Sequence, residues 1–121
     1  MSIKESGEMY LETILILSKR SNFVRSIDIV QELDFSKPSV SRAVSLLKQG
    51  GYITVDKNGA INLTEIGLEI AEKIYNRHQV ITKLLVLLGV SEKTAAEDAC
   101  KIEHDISDES FKAISRYMKA K

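Results

Sequence analysis

Apolar residues in the first half of the chain recur at the spacing of amphipathic helices. In the opening segment Tyr10, Ile14 and Leu17 stand at i, i+4 and i+7, which places them on one face of a helix. This periodicity, bounded by residues that start or stop helices, predicts three helices in this half. They run from Glu5 to about Arg20, from Ser26 to about Leu33, and from Lys37 to the Gly50–Gly51 pair.

The second and third predicted helices are separated by the short segment "DFS". Ser26 is a suitable N-cap for the second helix, which would bury Ile29 and Leu33. Ser36 is a suitable N-cap for the third helix, and Pro38 falls in its first turn, where proline is favoured. Two short helices joined by a tight turn predict a helix-turn-helix.

The hydrophobic pattern changes from helical to alternating after the third helix. The segments "YITVD" and "AINLT" alternate apolar and polar residues, and Lys57-Asn58-Gly59 separates them. An Asn-Gly pair between two alternating segments predicts a β-hairpin. The core-facing positions of this hairpin are Ile53, Val55, Ile61 and Leu63. A helix-turn-helix followed directly by a two-stranded hairpin is a winged helix.

The second half of the chain is predicted to be entirely helical. Its helices run from Glu65 to about Leu88, from a cap at Ser91 to about Asp105, and from a cap at Ser107 to about Met118. The apolar run "LLVLLGV" needs a partner surface, and a second copy of the chain is the simplest one. The predicted fold is mostly α: an N-terminal winged helix-turn-helix over residues 1–64, then an all-helical dimerisation domain over residues 65–121.

The composition is that of a globular protein in a reducing compartment. The 121 residues are 44% hydrophobic and 28% charged, which is enough apolar material for a small core. A single cysteine excludes an internal disulfide framework. The charged N-terminal segment has no signal-peptide pattern, and the most apolar run is too short to span a bilayer. We therefore expect a cytoplasmic protein.

The third helix has the character of a DNA-reading helix. Residues 36–57 contain four basic side chains against Asp56 alone, a local net charge of +3 on a chain of zero net charge. The buried stripe of this helix is predicted at Val40, Ala43, Val44 and Leu47. The opposite face carries small polar residues around Arg42, and such a face fits a major groove. The candidate DNA contacts are Ser26, Ser36, Lys37, Pro38, Ser39, Ser41, Arg42, Ser45 and Lys57, with Gln49 on the same face.

Two alternatives to DNA reading stay open at this point. The polar face of the third helix could be an ordinary solvent-exposed surface. Some winged helices also bind protein instead of DNA, so a winged-helix interaction module is the second alternative.

The stretch "CKIEHD" contains the chain's only cysteine and one of its two histidines. On a helix, Cys100, Glu103 and His104 stand at i, i+3 and i+4 and share one face. Further donors are predicted at His78 in the long helix and at Met9 and Glu12 in the first helix. Thioether, thiolate, carboxylate and imidazole donors suit a late first-row divalent ion better than magnesium or calcium.

Packing and catalysis are the alternatives to a metal site. Cysteine and methionine often fill cores. Cys100 and His104 could also form the nucleophile and base of an enzyme. No glycine-rich turn, oxyanion-hole candidate or third orienting residue accompanies that pair in the sequence, so an enzyme is not expected.

Several segments together resemble the diphtheria toxin repressor family. They are "EMYLETI", "SKPSVSRAVSLLKQGGYI", "TEIGLEIA", "RHQVITKLL" and "EDACKIEHDISDE", so the similarity covers essentially the whole chain. Its most specific part is Cys-x-x-Glu-His preceded by Arg-His. The resemblance implies a metal-dependent, homodimeric, winged-helix repressor of metal-uptake genes that binds double-stranded operator DNA. The family's iron branch adds a C-terminal SH3-like domain, and we expect this chain to end before one begins.

The resemblance also implies a set of metal ligands. Met9, Cys100, Glu103 and His104 match the principal site of the iron branch. His78 matches an ancillary ligand of the iron branch and a core ligand of the manganese branch, and Glu12 matches a carboxylate of the manganese branch.

This chain also departs from both branches. Two ancillary ligands of the iron branch fall on Thr82 and Ala96, which cannot serve in the same way. The manganese branch has carboxylates where this chain has Met9 and Cys100. The two soft donors favour Fe(II) over Mn(II) as corepressor, with a manganese-responsive regulator of the same fold as the alternative. The number of ions bound is left open.

Overall fold

The computed structural model describes residues 5–121, which form six helices and one two-stranded antiparallel sheet. In chain order they are α1 (Glu5–Arg20), α2 (Ser26–Leu33), α3 (Lys37–Gln49), β1 (Ile53–Val55), β2 (Ile61–Leu63), α4 (Glu65–Leu87), α5 (Glu92–Asp105) and α6 (Asp108–Lys119). This confirms the predicted fold class. The chain divides into two compact units at Glu72 and Lys73, inside α4.

The core of the first unit is built where α1 packs against α2, α3 and β2. Most of its residues come from the predicted apolar stripes, and Leu11, which was not among them, adds to the core, since burial of apolar surface is the main favourable term in folding. The most buried side chains are Leu11 and Ile14 of α1, Ile29 of α2, Val40 of α3 and Ile53 of β1. Five other predicted core positions are only half-buried: Leu17, Leu33, Ala43, Val55 and Leu63.

The helix-turn-helix is formed by α2, a three-residue turn and α3. Asp34 takes a left-handed conformation that ends α2, and the Ser36 hydroxyl accepts a hydrogen bond from the Ser39 backbone N–H at 3.3 Å. The prediction that Ser26 caps α2 is wrong. Arg25 is the N-cap, and its backbone N–H donates to the Asp28 carboxylate at 2.8 Å. An acidic side chain in the first helical turn can thus replace a serine cap.

The wing is a short hairpin in which Thr54 of β1 pairs with Asn62 of β2. The Asp56 carboxylate accepts hydrogen bonds from the backbone N–H groups of Asn58 and Ala60, at 2.8 and 2.9 Å. Gly59 has a φ of 83°, a conformation that residues with a side chain rarely adopt. The predicted Asn-Gly turn is therefore present, and the strands are three residues each.

The start of α4 lies against the backbone that precedes the wing. A Cβ atom at Gly67 would overlap the carbonyl oxygen of Tyr52, so only glycine fits there. Thr64 reinforces the contact, because its hydroxyl donates to the Gly51 carbonyl at 2.7 Å and accepts from the Gly67 N–H at 3.2 Å.

The second unit comprises the rest of α4 with α5 and α6. Ser91 and Ser107 cap α5 and α6 as predicted, each accepting a hydrogen bond from a backbone N–H three residues further on. Arg77 of α4 is buried and forms an ion pair with Asp108, the first residue of α6. Val86, Leu87 and Leu88, at the end of α4, are exposed.

None of the helices within residues 5–121 combines the length and the apolar character needed to cross a membrane.

Replacement of Gly67 by alanine should destabilise the first unit, although alanine is the better helix former. The added methyl group must displace the Tyr52 carbonyl, and such overpacking costs about 1–3 kcal/mol. Chemical unfolding followed by circular dichroism would measure the loss. Glu69→Ala, at an exposed position of the same helix, is the control and should stay within about 0.5 kcal/mol of the parent. A Gly67→Ala variant as stable as its control would contradict this packing.

The Asp108 carboxylate should make stability depend on pH in the acid range. Lys73 and then Arg77 hold the pKa of Asp108 below its ordinary value of 3.8. A carboxyl group with a lowered folded-state pKa contributes stability above its unfolded pKa and loses it as pH falls through the folded pKa. The difference in thermal midpoint between the parent protein and Asp108→Asn should therefore be full at neutral pH and shrink below pH 3.8. A difference that is constant with pH would refute the ionic contribution.

Candidate metal centre

The last two turns of α5 carry the donors that the sequence singled out. Ser91 fixes the start of this helix, and Ala95 and Ala99 are its buried small residues. Cys100 is exposed, Glu103 is fully buried and His104 is half-buried. The buried face of α5 therefore ends in a carboxylate, with a thiol one turn before it.

His78 reaches this face from α4. Its Nδ1 lies 3.7 Å from Cys100 Sγ and 3.4 Å from Glu103 Oε2. One donor atom from each of the three residues lies within 4.8 Å of the others. The structure thus brings together a thiol, an imidazole and a carboxylate from two helices of one unit.

The carboxylate of Glu103 is buried without hydrogen-bond compensation. Neither oxygen accepts a hydrogen bond from any residue in the range 5–121. The His78 ring nitrogen at 3.4 Å is a close electrostatic contact, but it lacks hydrogen-bond geometry, so it attracts the carboxylate without saturating it. A buried carboxylate of this kind is costly unless a cation accompanies it. Glu103 therefore fits the role of a metal ligand.

The electrostatics of the cluster favour positive charge at His78. The contact with Cys100, followed by that with Glu103, raises the pKa of His78 to about 10, although burial acts in the opposite direction. In the protein without a metal ion, this ring therefore carries a proton at neutral pH. The surroundings that hold this proton are also those that attract a cation.

The remaining predicted ligands lie at different places in the fold. His104 Nε2 is 3.8 Å from Glu103 Oε1, so His104 adjoins the cluster from the same helix. Met9 is half-buried and Glu12 is buried, both in α1 of the first unit. Participation of Met9 and Glu12 in the same centre stays a prediction. Thr82, where the iron branch has an ancillary ligand, donates its hydroxyl to the His78 carbonyl at 2.6 Å.

The residues predicted to contact DNA are almost all on the surface of the first unit. Ser26 is half-buried, and the exposed residues are Ser36, Lys37, Pro38, Ser39, Ser41, Arg42, Ser45 and Lys57. The Ser36 and Ser39 hydroxyls hydrogen-bond to each other at 2.8 Å at the start of α3. Their contact with DNA stays a prediction.

One residue beside the cluster belongs to the Arg-His motif of the sequence but was assigned no role there. Arg77 is buried next to His78, and its guanidinium donates to the Glu103 carbonyl at 3.0 Å. The available signal was an arginine within the apolar periodicity of a long helix. The pattern does not reveal the acceptor, because that acceptor is a backbone carbonyl on another helix.

A winged helix-turn-helix followed by a helical unit with a candidate cation site defines a class, the metal-responsive DNA-binding regulators. Two family profiles match the chain in this order. "Iron dependent repressor, N-terminal DNA binding domain" matches residues 2–61, and "Iron dependent repressor, metal binding and dimerisation domain" matches residues 64–120.

Similar proteins and structures agree with these matches. An HTH-type transcriptional regulator of Methanocaldococcus jannaschii is 36% identical over 96% of this chain and 94% of its own length. The HTH-type transcriptional regulator MntR of Geobacillus kaustophilus is 33% identical over 92% of this chain and 77% of its own length. The solved structure of the manganese regulator SloR superposes with a TM-score of 0.82 at 27% identity, over 98% of this chain. This chain spans only 55% of the SloR structure.

The chain belongs to the iron dependent repressor family, which is the diphtheria toxin repressor family indicated by its motifs. It is a metal-dependent transcriptional regulator. The enzyme alternative is therefore set aside, because the family consists of DNA-binding repressors.

A divalent ion should stabilise the helical unit through Glu103. At an ion concentration of about 100 times Kd, ligand binding raises the free energy of unfolding by about 2.7 kcal/mol. Glu103→Gln keeps the shape of the side chain but removes its charge, so the rise in thermal midpoint on addition of Mn(II) or anaerobic Fe(II) should be largely lost. Glu97→Gln, at an exposed position of α5, is the control and should respond like the parent. An equal response in Glu103→Gln would exclude this carboxylate as a ligand.

Proposed function

We propose that the protein is a homodimeric repressor in which Fe(II) acts as corepressor for binding to the operators of metal-uptake genes. Residues 1–64 are proposed to read DNA, and residues 65–121 to bind metal and dimerise. The two family profiles divide the chain in the same region, at residues 61 and 64. The observation that carries the proposal is the buried Glu103 carboxylate, which lacks hydrogen bonds from the described residues and lies beside His78 and Cys100.

His78, Cys100, Glu103 and His104 are proposed to hold the ion, with Met9 and Glu12 as further ligands from α1. A bound divalent ion would replace the His78 proton as the positive charge beside the Glu103 carboxylate, because the imidazole must lose that proton to bind metal. Ligands from α1 belong to the DNA-reading part of the chain, so they provide the physical route by which metal could alter DNA affinity. Effectors of this kind typically change affinity by about 1–3 kcal/mol.

The preference for Fe(II) rests on the donor set. A thiolate at Cys100 is softer than a carboxylate, and soft donors favour iron over manganese. Relatives whose names denote manganese regulation, including SloR, favour the second candidate, a manganese-responsive regulator. Both candidates use the same fold and the same helices.

The proposed DNA interface is the exposed face of α3 with the wing. Arg42 is its central charged residue, because an arginine can make a bidentate contact with guanine in the major groove. The exposed residues Lys37 and Lys57 are proposed to bind phosphates, contacts that position a helix without reading sequence. The exposed apolar residues Val86, Leu87 and Leu88 support a partner surface in the second unit, and we assign it to the second copy of the chain.

DNA binding should require both the metal and the exposed face of α3. Fluorescence anisotropy of a labelled duplex from upstream of the protein's own gene would measure Kd with Fe(II) under anaerobic conditions, with Mn(II) and with chelator. We expect tight binding only with metal and tighter binding with Fe(II) than with Mn(II). Arg42→Ala should cost about 1–3 kcal/mol and relax sequence preference, whereas Lys37→Ala should mainly reduce the salt dependence.

A scrambled duplex and the variant Lys93→Ala, at an exposed position of α5, are the controls. Equal DNA affinity with metal and with chelator would leave a DNA-binding winged helix without a metal switch. No affinity for any duplex at low salt would favour a protein-interaction module. Tighter binding with Mn(II) would identify the manganese-responsive alternative.

A further inference from the structure

Arg77 is one of the most deeply buried charged residues in the part of the chain that the structure describes. Only 5% of its surface is accessible, and arginine is rarely buried unless its charge and hydrogen-bond donors are compensated. It immediately precedes His78 on α4. Its partners therefore indicate what this charge does beside the metal centre.

The guanidinium of Arg77 joins the end of α5 to the start of α6. Its Nη1 donates to the backbone carbonyls of Glu103 and Ile106, at 3.0 and 2.9 Å, and its Nη2 pairs with the carboxylate of Asp108. Carbonyls in the last turn of a helix have no partner within that helix. The guanidinium carbon also lies 5.4 Å from the centre of the Phe111 ring in α6.

Arg77 and His78 act on the same residue from adjacent positions. The arginine holds the backbone carbonyl of Glu103, and the histidine lies beside the carboxylate of Glu103. That carboxylate accepts no hydrogen bond within residues 5–121. The position of its oxygens therefore depends on the packing of the side chain and on the backbone that carries it, and Arg77 holds that backbone.

We propose that Arg77 is a positioning residue that orients Glu103 for metal binding and links the metal centre to α6 through Asp108. This inference rests on the proposed metal-binding function. Because coupling between two sites is reciprocal, metal at His78, Cys100 and Glu103 should order the first turn of α6, and loosening that turn should weaken metal binding.

The geometry requires a guanidinium and not only a positive charge. Arginine offers donors in a planar fork, which here serves two carbonyls and one carboxylate, whereas lysine is a compact point charge on a flexible stem. Lys73 provides a contrast within the same unit. It also pairs with Asp108, at 3.3 Å, but it is exposed and has no contact with the Glu103 carbonyl.

The first experiment measures the affinity for Co(II) alone. Binding is monitored by the absorption of the metal–thiolate bond to Cys100. Arg77→Lys and Arg77→Gln should each weaken Co(II) binding about 10–100-fold, the usual effect of removing a group that orients a ligand. Lys73→Gln, the matched control, should bind like the parent. Asp108→Asn leaves both carbonyl contacts in place but removes the link to α6, so its Co(II) affinity should fall, and by less than that of the Arg77 variants.

The second measurement is hydrogen exchange at the backbone amides of Ser110 and Phe111, in the first turn of α6. These amides donate to Ser107 Oγ at 3.1 Å and to the Ser107 carbonyl at 2.9 Å, so they report on that turn. Co(II) should increase their protection in the parent and in Lys73→Gln. The increase should be lost in Arg77→Gln and in Asp108→Asn. A role confined to fold stability would change protection with and without metal alike.

The outcomes separate this inference from the function on which it rests. If the parent does not bind Co(II) through Cys100, the proposed metal centre fails. If the parent binds and folded Arg77→Lys binds equally well, the positioning role of the guanidinium is overturned. If Asp108→Asn keeps the metal-dependent protection of α6, the link through Asp108 is overturned. Should Arg77→Gln not fold, Arg77→Lys and Asp108→Asn still decide both points.

Discussion

A carboxylate removed from water must be compensated by hydrogen-bond donors or by a cation, and Glu103 has no hydrogen-bond donor among residues 5–121. The arrangement of the second unit follows from this requirement. Helix α4 brings the His78 ring beside the carboxylate, and α5 brings the Cys100 thiol one turn away. The fold thus holds an imidazole, a thiol and a buried carboxylate within 4.8 Å of one another, and a cation that binds to them would stabilise the unit.

The two units differ in where their charged residues lie. In the first unit, apolar residues at helical spacing enclose a core and leave the face around Arg42 of α3 exposed. In the second unit, the same periodicity is interrupted by Arg77 and Glu103, two charged residues at buried positions. Burying a charged side chain at such a position costs free energy. Charged residues at buried positions are therefore candidates for a functional role.

The helix boundaries were largely predictable because their signals are local. Ser36, Ser91 and Ser107 cap the helices they were expected to cap, since a serine hydroxyl needs only a backbone N–H three residues ahead. Ser26 was misassigned because Asp28 competes for the same end of α2. The spacing in "CKIEHD" indicated the donor cluster. The hydrogen bonds of Arg77 could not be predicted, because their acceptors are backbone carbonyls distant in sequence. The relative affinity for Fe(II) and Mn(II) is harder to predict from sequence than the donor residues are, because it depends on small differences in donor softness and geometry.

The exposure of Cys100 beside the fully buried Glu103 affects how fast the proposed centre exchanges its ion as well as how tightly it binds that ion. A centre enclosed on every side exchanges its ion only when the protein opens, and its response is then as slow as local unfolding. Here the thiol reaches solvent while the carboxylate remains inside, so competing thiols in the surroundings can approach the cluster from the solvent side without any helix moving. In the proposed centre, the rate of metal release would therefore depend on ligand exchange at one exposed sulfur atom and not on local unfolding of the helices.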